Sequence, residues 1–155
     1  MKLYKIKKSN IDNKGLCASQ DIKDRTKIIE YKGKILTKKQ VEKDPKFDNE
    51  KAIYLFNINK KYDLDGDFRF NTARLINHSC NPNCEVSGTG LKVWVYAIRD
   101  IKKGEELTYD YGFGFDEGYK DFPCKCGAKK CVGYIIREGS RWRIKKKKIK
   151  SSRFS

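Results

Sequence analysis

The sequence predicts a mainly β fold with little helix. Three observations carry that expectation. Residues 91–98 alternate with a period of two: Leu91, Val93, Val95 and Ala97 face one way, and Trp94, Tyr96 and Ile98 the other. Other short apolar runs are separated by turn residues. Helix signals are confined to two brief stretches, the pattern of a chain built from many short strands.

In chain order, residues 26–31 hold Ile28-Ile29 ahead of Tyr31-Lys32-Gly33 and read as a strand entering a turn. Thr37-Lys38-Lys39-Gln40 matches a capping box, with threonine at the cap and glutamine three later. The helix that follows should stop near Asp44, because Pro45 disfavours helical angles in the residue before it. Residues 52–58 read as a strand and residues 63–67 as an acidic turn. Asn71 is placed to cap a short helical turn through residues 73–76. The strand at 91–98 is apolar on both faces, which predicts cover on both sides. Residues 100–104 form a turn into a strand ending at Tyr111, with Tyr109 and Tyr111 on one side of it. From Arg137 onward the chain is polar and expected to be only partly ordered.

A length of 155 residues fits one domain with a real core. Apolar residues make up 38% and charged residues 36%, so the core is lean and the surface strongly charged. No apolar run approaches the roughly 18 residues of a membrane span. Met1-Lys2-Leu3-Tyr4-Lys5 lacks the apolar stretch of a signal peptide. The expectation is a soluble intracellular protein in a reducing compartment, with no membrane partner. The net charge is +16, and residues 137–155 hold nine Lys/Arg and one acid, Glu138, a net +8. Such a segment is either a solvated end or a patch that holds nucleic acid.

Three of the six cysteines lie in Cys124-Lys125-Cys126-Gly127-Ala128-Lys129-Lys130-Cys131. They are either free thiols, a redox pair or ligands. Clustered thiolates in a reducing compartment favour zinc, which takes four tetrahedral ligands and so needs one more from elsewhere. The acids Asp63, Asp65, Asp67, Asp116 and Glu117 either line a groove for a basic peptide or sit as solvated turn carboxylates.

Two further blocks stand out. Arg74-Leu75-Ile76-Asn77-His78-Ser79-Cys80-Asn81-Pro82-Asn83 contains the single histidine, and Glu105-Glu106-Leu107-Thr108-Tyr109-Asp110-Tyr111 ends in two tyrosines. With the cysteine loop, these blocks resemble the SET-domain protein lysine methyltransferases that carry a cysteine-rich post-SET segment. The resemblance runs from about Lys14 to about Ile136, most of the chain. It implies a β-clip-like fold of several short sheets with a knot-like threading near the C-terminus. The expected division is 1–117 SET domain, 118–136 post-SET zinc segment and 137–155 basic tail. A compact chain also resembles bacterial or viral members, so the expected place is nucleus or chromatin in a eukaryote, and otherwise the cytoplasm or a host.

The resemblance also implies roles. Cys80 becomes the fourth ligand of a closed structural zinc with Cys124, Cys126 and Cys131, and that bond pins the post-SET loop over the cofactor. The methyl donor is S-adenosylmethionine, held by Lys14, Gly15, Leu16, Tyr54, Arg74, Asn77, His78, Tyr111 and Phe115. Family members usually carry Gly-x-Gly where this chain has Asn13-Lys14-Gly15, and Asn is the next residue to tolerate such backbone angles. Tyr31, Tyr109 and Tyr111 wall a narrow channel for the substrate lysine. Tyr111 is the expected catalytic tyrosine. Tyr109 occupies a position where Phe or Tyr sets the product, and its hydroxyl implies mono- or dimethylation. The implied substrate is a histone or another lysine-rich protein. A rival reading is a zinc-stabilised SET-like module without catalysis that binds nucleic acid through its basic tail.

Overall fold

The computed structural model describes residues 2–48 and 54–144. Its architecture is mainly β: ten short strands in four small sheets, with one α-helix lying wholly within the described residues. β1 (Tyr4–Lys8) and β2 (Lys14–Ala18) form an antiparallel hairpin. β3 (Lys27–Tyr31), β8 (Cys84–Thr89) and β9 (Lys92–Ala97) form a three-stranded sheet in the order β3-β9-β8. β4 (Lys34–Thr37), β5 (Leu55–Asn57) and β6 (Tyr62–Asp65) form another, in the order β4-β6-β5. β7 (Asn77–His78) and β10 (Thr108–Tyr109) make a parallel pair, matching Thr108 to Asn77 and Tyr109 to His78. That pair joins the two sequence blocks of greatest chemical interest.

Local chemistry explains several elements. Thr37 accepts from the Gln40 backbone, and the Gln40 side chain accepts from the Thr37 backbone N–H, so α1 (Lys38–Lys43) starts with the expected capping box. Asp44 ends that helix and its side chain caps a 3-10 turn over Pro45–Phe47. The 3-10 turn is a feature the sequence reading did not include. Gly90, at φ +62°, turns β8 into β9.

Four expectations need correction. Residues 63–67 are not a turn: Asp63 and Asp65 lie on the central strand β6 and are buried. The Lys38 ammonium contacts Asp63, and Lys46 donates to Asp65 at 2.7 Å, so lysines from neighbouring elements neutralise the strand. Those carboxylates are therefore already paired within the chain. Asn71 precedes the 3-10 turn Thr72–Leu75 but makes no side-chain cap. Its amide bridges instead, accepting from Lys32 N–H and donating to the Gly66 carbonyl.

The outer face of β9 is only half covered. Trp94 and Tyr96 are partly exposed, and the Lys27 ammonium lies 4.4 Å from the Trp94 ring centroid. Leu91 and Ile98 fall beyond the strand and are exposed. The strand expected to end at Tyr111 ends at Tyr109. Of the strand expected at 52–58, Leu55–Asn57 is observed, and residues 52 and 53 lie outside the described residues.

The segment from Arg137 onward, expected to be only partly ordered, is described as far as Ile144. Residues 137–144 pack against the body of the protein: a 3-10 turn covers Glu138–Ser140, and Ile144 is buried with Val132 and Ile136. Arg141 is buried as well. Residues 145–155, which hold most of the basic run, lie outside the described residues.

The main core gathers Leu16, Ile22, Ile29, Tyr31, Leu64, Ile76, Val93, Val95, Ile101, Leu107 and Tyr109. Each such side chain contributes about 1.5–3 kcal/mol on burial, against about 1 kcal/mol for a helix cap, so packing around β3 and β9 governs the fold. The Tyr31 ring packs against Gly66, where a Cβ would collide with it. No helix among the described residues is long and apolar enough to cross a membrane.

Candidate active site

The β7–β10 pair sets the site. It presents Asn77 and His78 from one strand and Tyr109 from the other, with Tyr111 just beyond. A cavity of about 610 Å³ opens beside it, within the range of about 300–1,000 Å³ typical of small-ligand pockets. Its wall includes Lys14, Tyr54, Arg74, Asn77, His78 and Tyr111, all anticipated from sequence. Gly15 and Leu16 are not part of the wall: Leu16 is wholly buried in the core. Phe115 is not part of it either. It stacks on Tyr119 at 4.7 Å, in the cluster around Val132 and Ile136.

Phe113 and Phe122 line the cavity in its place. Phe113 was missed, although it continues the period of two set by Tyr109 and Tyr111. Phe122 stands two residues before Cys124 and carries no comparable signal.

The N-terminal wall depends on two backbone features. Asn13 adopts φ +45°, the left-handed region that asparagine tolerates better than most residues. Gly15 faces the Glu106 carboxylate, and a Cβ there would collide with it. Glu106 accepts from Ser9 Oγ at 2.6 Å and from Asn77 Nδ2 at 2.9 Å. The Asn77 amide nitrogen also faces the carbonyls of Asp12 and Lys14, at 3.1 and 3.2 Å. Asn77 thus ties the β1–β2 loop to β7. Ser9 and Glu106 belong to this network and were not anticipated.

Aromatic rings form a continuous row. Tyr31 meets Phe56 at 4.7 Å between centroids, Phe56 meets Tyr109 at 6.1 Å, and Tyr109 meets Tyr111 at 4.9 Å. Beyond Tyr111 the row runs through Phe113 to Phe122, at 5.7 and 5.2 Å. The three tyrosines expected to cluster do so, and Tyr111 is the one that also faces the cavity. Phe56 completes the row and was not anticipated.

Burial is the first cause that pushes the phenols of Tyr31, Tyr109 and Tyr111 above their ordinary range, and neighbouring tyrosine hydroxyls add to it at all three. Near neutral pH all three are neutral hydroxyls, suited to orient a ligand and unsuited to act as bases. Tyr111 donates to the Ile76 carbonyl at 2.6 Å, and Tyr31 to the Tyr54 carbonyl at 3.2 Å.

His78 is buried and accepts the Tyr111 backbone N–H at its Nδ1, 3.0 Å away. That bond assigns the proton to Nε2, which faces Cys80 Sγ at 3.8 Å. The imidazole therefore braces the tyrosine segment against the cysteine cluster.

The sulfurs of Cys80, Cys124, Cys126 and Cys131 all lie within 4.8 Å of one another, and those of Cys80 and Cys124 are 3.9 Å apart. Zinc bonded to four thiolates at about 2.3 Å places its sulfurs about 3.8 Å apart, so the arrangement is compatible with a closed zinc site. Cys80 is drawn down to about 3, first by its contact with Cys124, and Cys124 is pushed up by the same contact. A cation held by these four sulfurs would let both ionise. The two remaining thiols lie elsewhere. Cys17 is buried near Glu106, and burial pushes Cys84 up to about 12.

The SET domain family profile matches residues 13–112. The chain belongs to the SET-domain family. It is 38% identical over 134 residues to histone-lysine N-methyltransferase trithorax of Drosophila virilis, across 83% of this chain. It is 38% identical over 132 residues to human histone-lysine N-methyltransferase 2D, across 81% of this chain. It is 37% identical over 137 residues to histone-lysine N-methyltransferase set1 of Dictyostelium discoideum, across 84% of this chain. The matched regions cover 3%, 2% and 9% of those relatives' own lengths. For a SET domain, the stretch from β2 to Gly112 is the matched part, and the cysteine loop and Arg141 lie beyond it.

Proposed function

We propose that this chain is an S-adenosylmethionine-dependent protein-lysine N-methyltransferase that places one or two methyl groups on a histone or another lysine-rich protein. The observation that carries the reading is the aromatic row that passes from Tyr31 through Tyr109 to Tyr111, where it meets the cavity. The histone-lysine methyltransferase names of the relatives support the substrate class.

The chemistry follows from that row. A lysine ammonium has an ordinary pKa of about 10.4, so freeing its lone pair near pH 7.4 costs about 4 kcal/mol. A sleeve of Tyr31, Phe56, Tyr109 and Tyr111 disfavours the charged amine by desolvation and lowers that cost. The proton leaves to water, because the three phenols hold their own protons. The donor supplies an activated methyl group whose transfer leaves a neutral thioether. The protein's share is alignment of the amine with that methyl, worth several orders of magnitude in effective concentration. Lys14, Tyr54, Arg74, Asn77 and His78 form the donor's wall. Cys80, Cys124, Cys126 and Cys131 hold structural zinc. The basic run at 145–155 suits a polyanion partner such as nucleic acid, and chromatin is the setting this reading expects.

The test is methyl transfer from radiolabelled S-adenosylmethionine to core histones and to source lysate, with mass spectrometry of the product. Label on lysine that disappears in Tyr111→Phe upholds the reading. Absence of label, with salt-sensitive nucleic-acid binding, would favour the non-catalytic module instead. Dominant trimethyllysine would overturn the role given to Tyr109.

A further inference from the structure

Arg141 lies ten residues past the last cysteine of the loop and outside the matched SET region, yet its side chain is 8% exposed. Its guanidinium reaches three separate segments. Nε donates to the Ile136 carbonyl at 2.9 Å, Nη1 to the Cys80 carbonyl at 2.8 Å and Nη2 to Asp110 Oδ2 at 2.7 Å. Ile136 closes the cysteine segment. Cys80 is one of the four clustered sulfurs. Asp110 stands between Tyr109 and Tyr111 and faces His78 Nδ1 at 3.8 Å. The same carboxylate accepts the Glu138 backbone N–H at 3.1 Å, and Arg137 N–H donates to the Phe113 carbonyl at 2.8 Å. Residues 137–141 are therefore bonded at several points to the backbone that carries Tyr111 and Phe113.

We propose that Arg141 is a positioning residue: it clasps the Cys80 turn, the cysteine segment and the Tyr109–Tyr111 segment together, and so holds Phe113 and Phe122 over the donor cavity. The clasp rests on the methyl-donor reading above for its link to binding, and on geometry alone for its link to structure. Arginine suits the task because its planar fork carries five donors in fixed directions. A lysine keeps the attraction to Asp110 and loses the directed bonds to the two carbonyls. Asp110 is the acid that pairs with this guanidinium among the described residues.

The experiment compares the full chain, loaded with zinc, as wild type, Arg141→Lys and Arg141→Met. Hydrogen exchange is followed at residues 79–81, 110–113 and 122–136. Donor affinity is measured by calorimetry well below the melting temperature, and zinc loss to a chelator is timed. The expected result is faster exchange in those three segments and faster zinc loss. Donor Kd should weaken on the order of tenfold in Arg141→Met, the scale of a lost charge-assisted hydrogen bond, while KM for the protein substrate stays unchanged. Arg141→Lys should recover only part of the donor affinity. A lower melting temperature with unchanged exchange and unchanged donor Kd would overturn the proposal, as would full rescue by lysine. If Arg141→Met does not fold, Arg141→Lys decides alone. Failure of the wild type to bind the donor sinks the methyl-transfer reading, and the exchange contrast still decides the clasp.

Discussion

Tyr109 sits between Phe56 and Tyr111 in a buried row of rings. Replacing it by phenylalanine removes a hydroxyl and leaves the ring packing in place. Tyr109→Phe should shift the product toward higher methylation, read by mass spectrometry of a substrate peptide over time. Because burial raises all three phenols, they stay protonated throughout the range where the substrate amine loses its proton. The rate should therefore rise with pH, with no falling limb from tyrosine ionisation below about pH 10. A falling limb near pH 9 that vanishes in Tyr111→Phe would contradict this. At Gly15, any side chain collides with Glu106. Gly15→Ala should destabilise by about 1–3 kcal/mol, measured by urea unfolding. These positions differ in how readable they were. Tyr109, Tyr111, Asn77 and His78 stand in two dense motifs. Glu106 was read only as part of its motif, because nothing local in the sequence says that its carboxylate reaches Ser9 and Asn77. Phe115 was assigned from the family resemblance, which does not tell which of two nearby aromatics in this chain turns inward.

The capping box before α1 was legible because its hydrogen bonds close within four residues. Thr37→Ala should cost about 1 kcal/mol, seen as a lower urea midpoint, since the cap is partly exposed and the helix is short. Strand β6 was not legible. Asp63 and Asp65 look like turn residues until Lys38 and Lys46, far along the chain, are placed beside them. Tertiary pairing overrode local propensity there. Lys46→Met should destabilise the β4-β6-β5 sheet more than Lys39→Met. Lys46 leaves a buried Asp65 without its ammonium, whereas Lys39 lies on the exposed side of α1. Hydrogen exchange along β6 would register the difference. The β1–β2 hairpin escaped notice for a related reason: β1 is largely exposed and lysine-rich, and its apolar alternation is only two residues long, Tyr4 and Ile6.

The described residues form four small sheets, one of them the parallel β7–β10 pair, and the cysteine cluster and residues 137–144 are fastened beside that pair. Removing zinc with a chelator should therefore weaken donor affinity before the main core melts, measured by calorimetry alongside thermal unfolding. The mainly β class was readable from the strand at 92–97 and the scarcity of helix signals. The packing of residues 137–144 was not readable, because one buried arginine in a basic run resembles every exposed one. The β7–β10 contact has a further consequence in time. Asn77 meets Thr108, its partner 31 positions later, so the pair closes a long loop and must wait for distant chain to arrive. During synthesis the β1–β2 hairpin can assemble well before its ligand wall is complete. The wall of the cavity therefore closes only after the residues beyond Thr108 have left the ribosome.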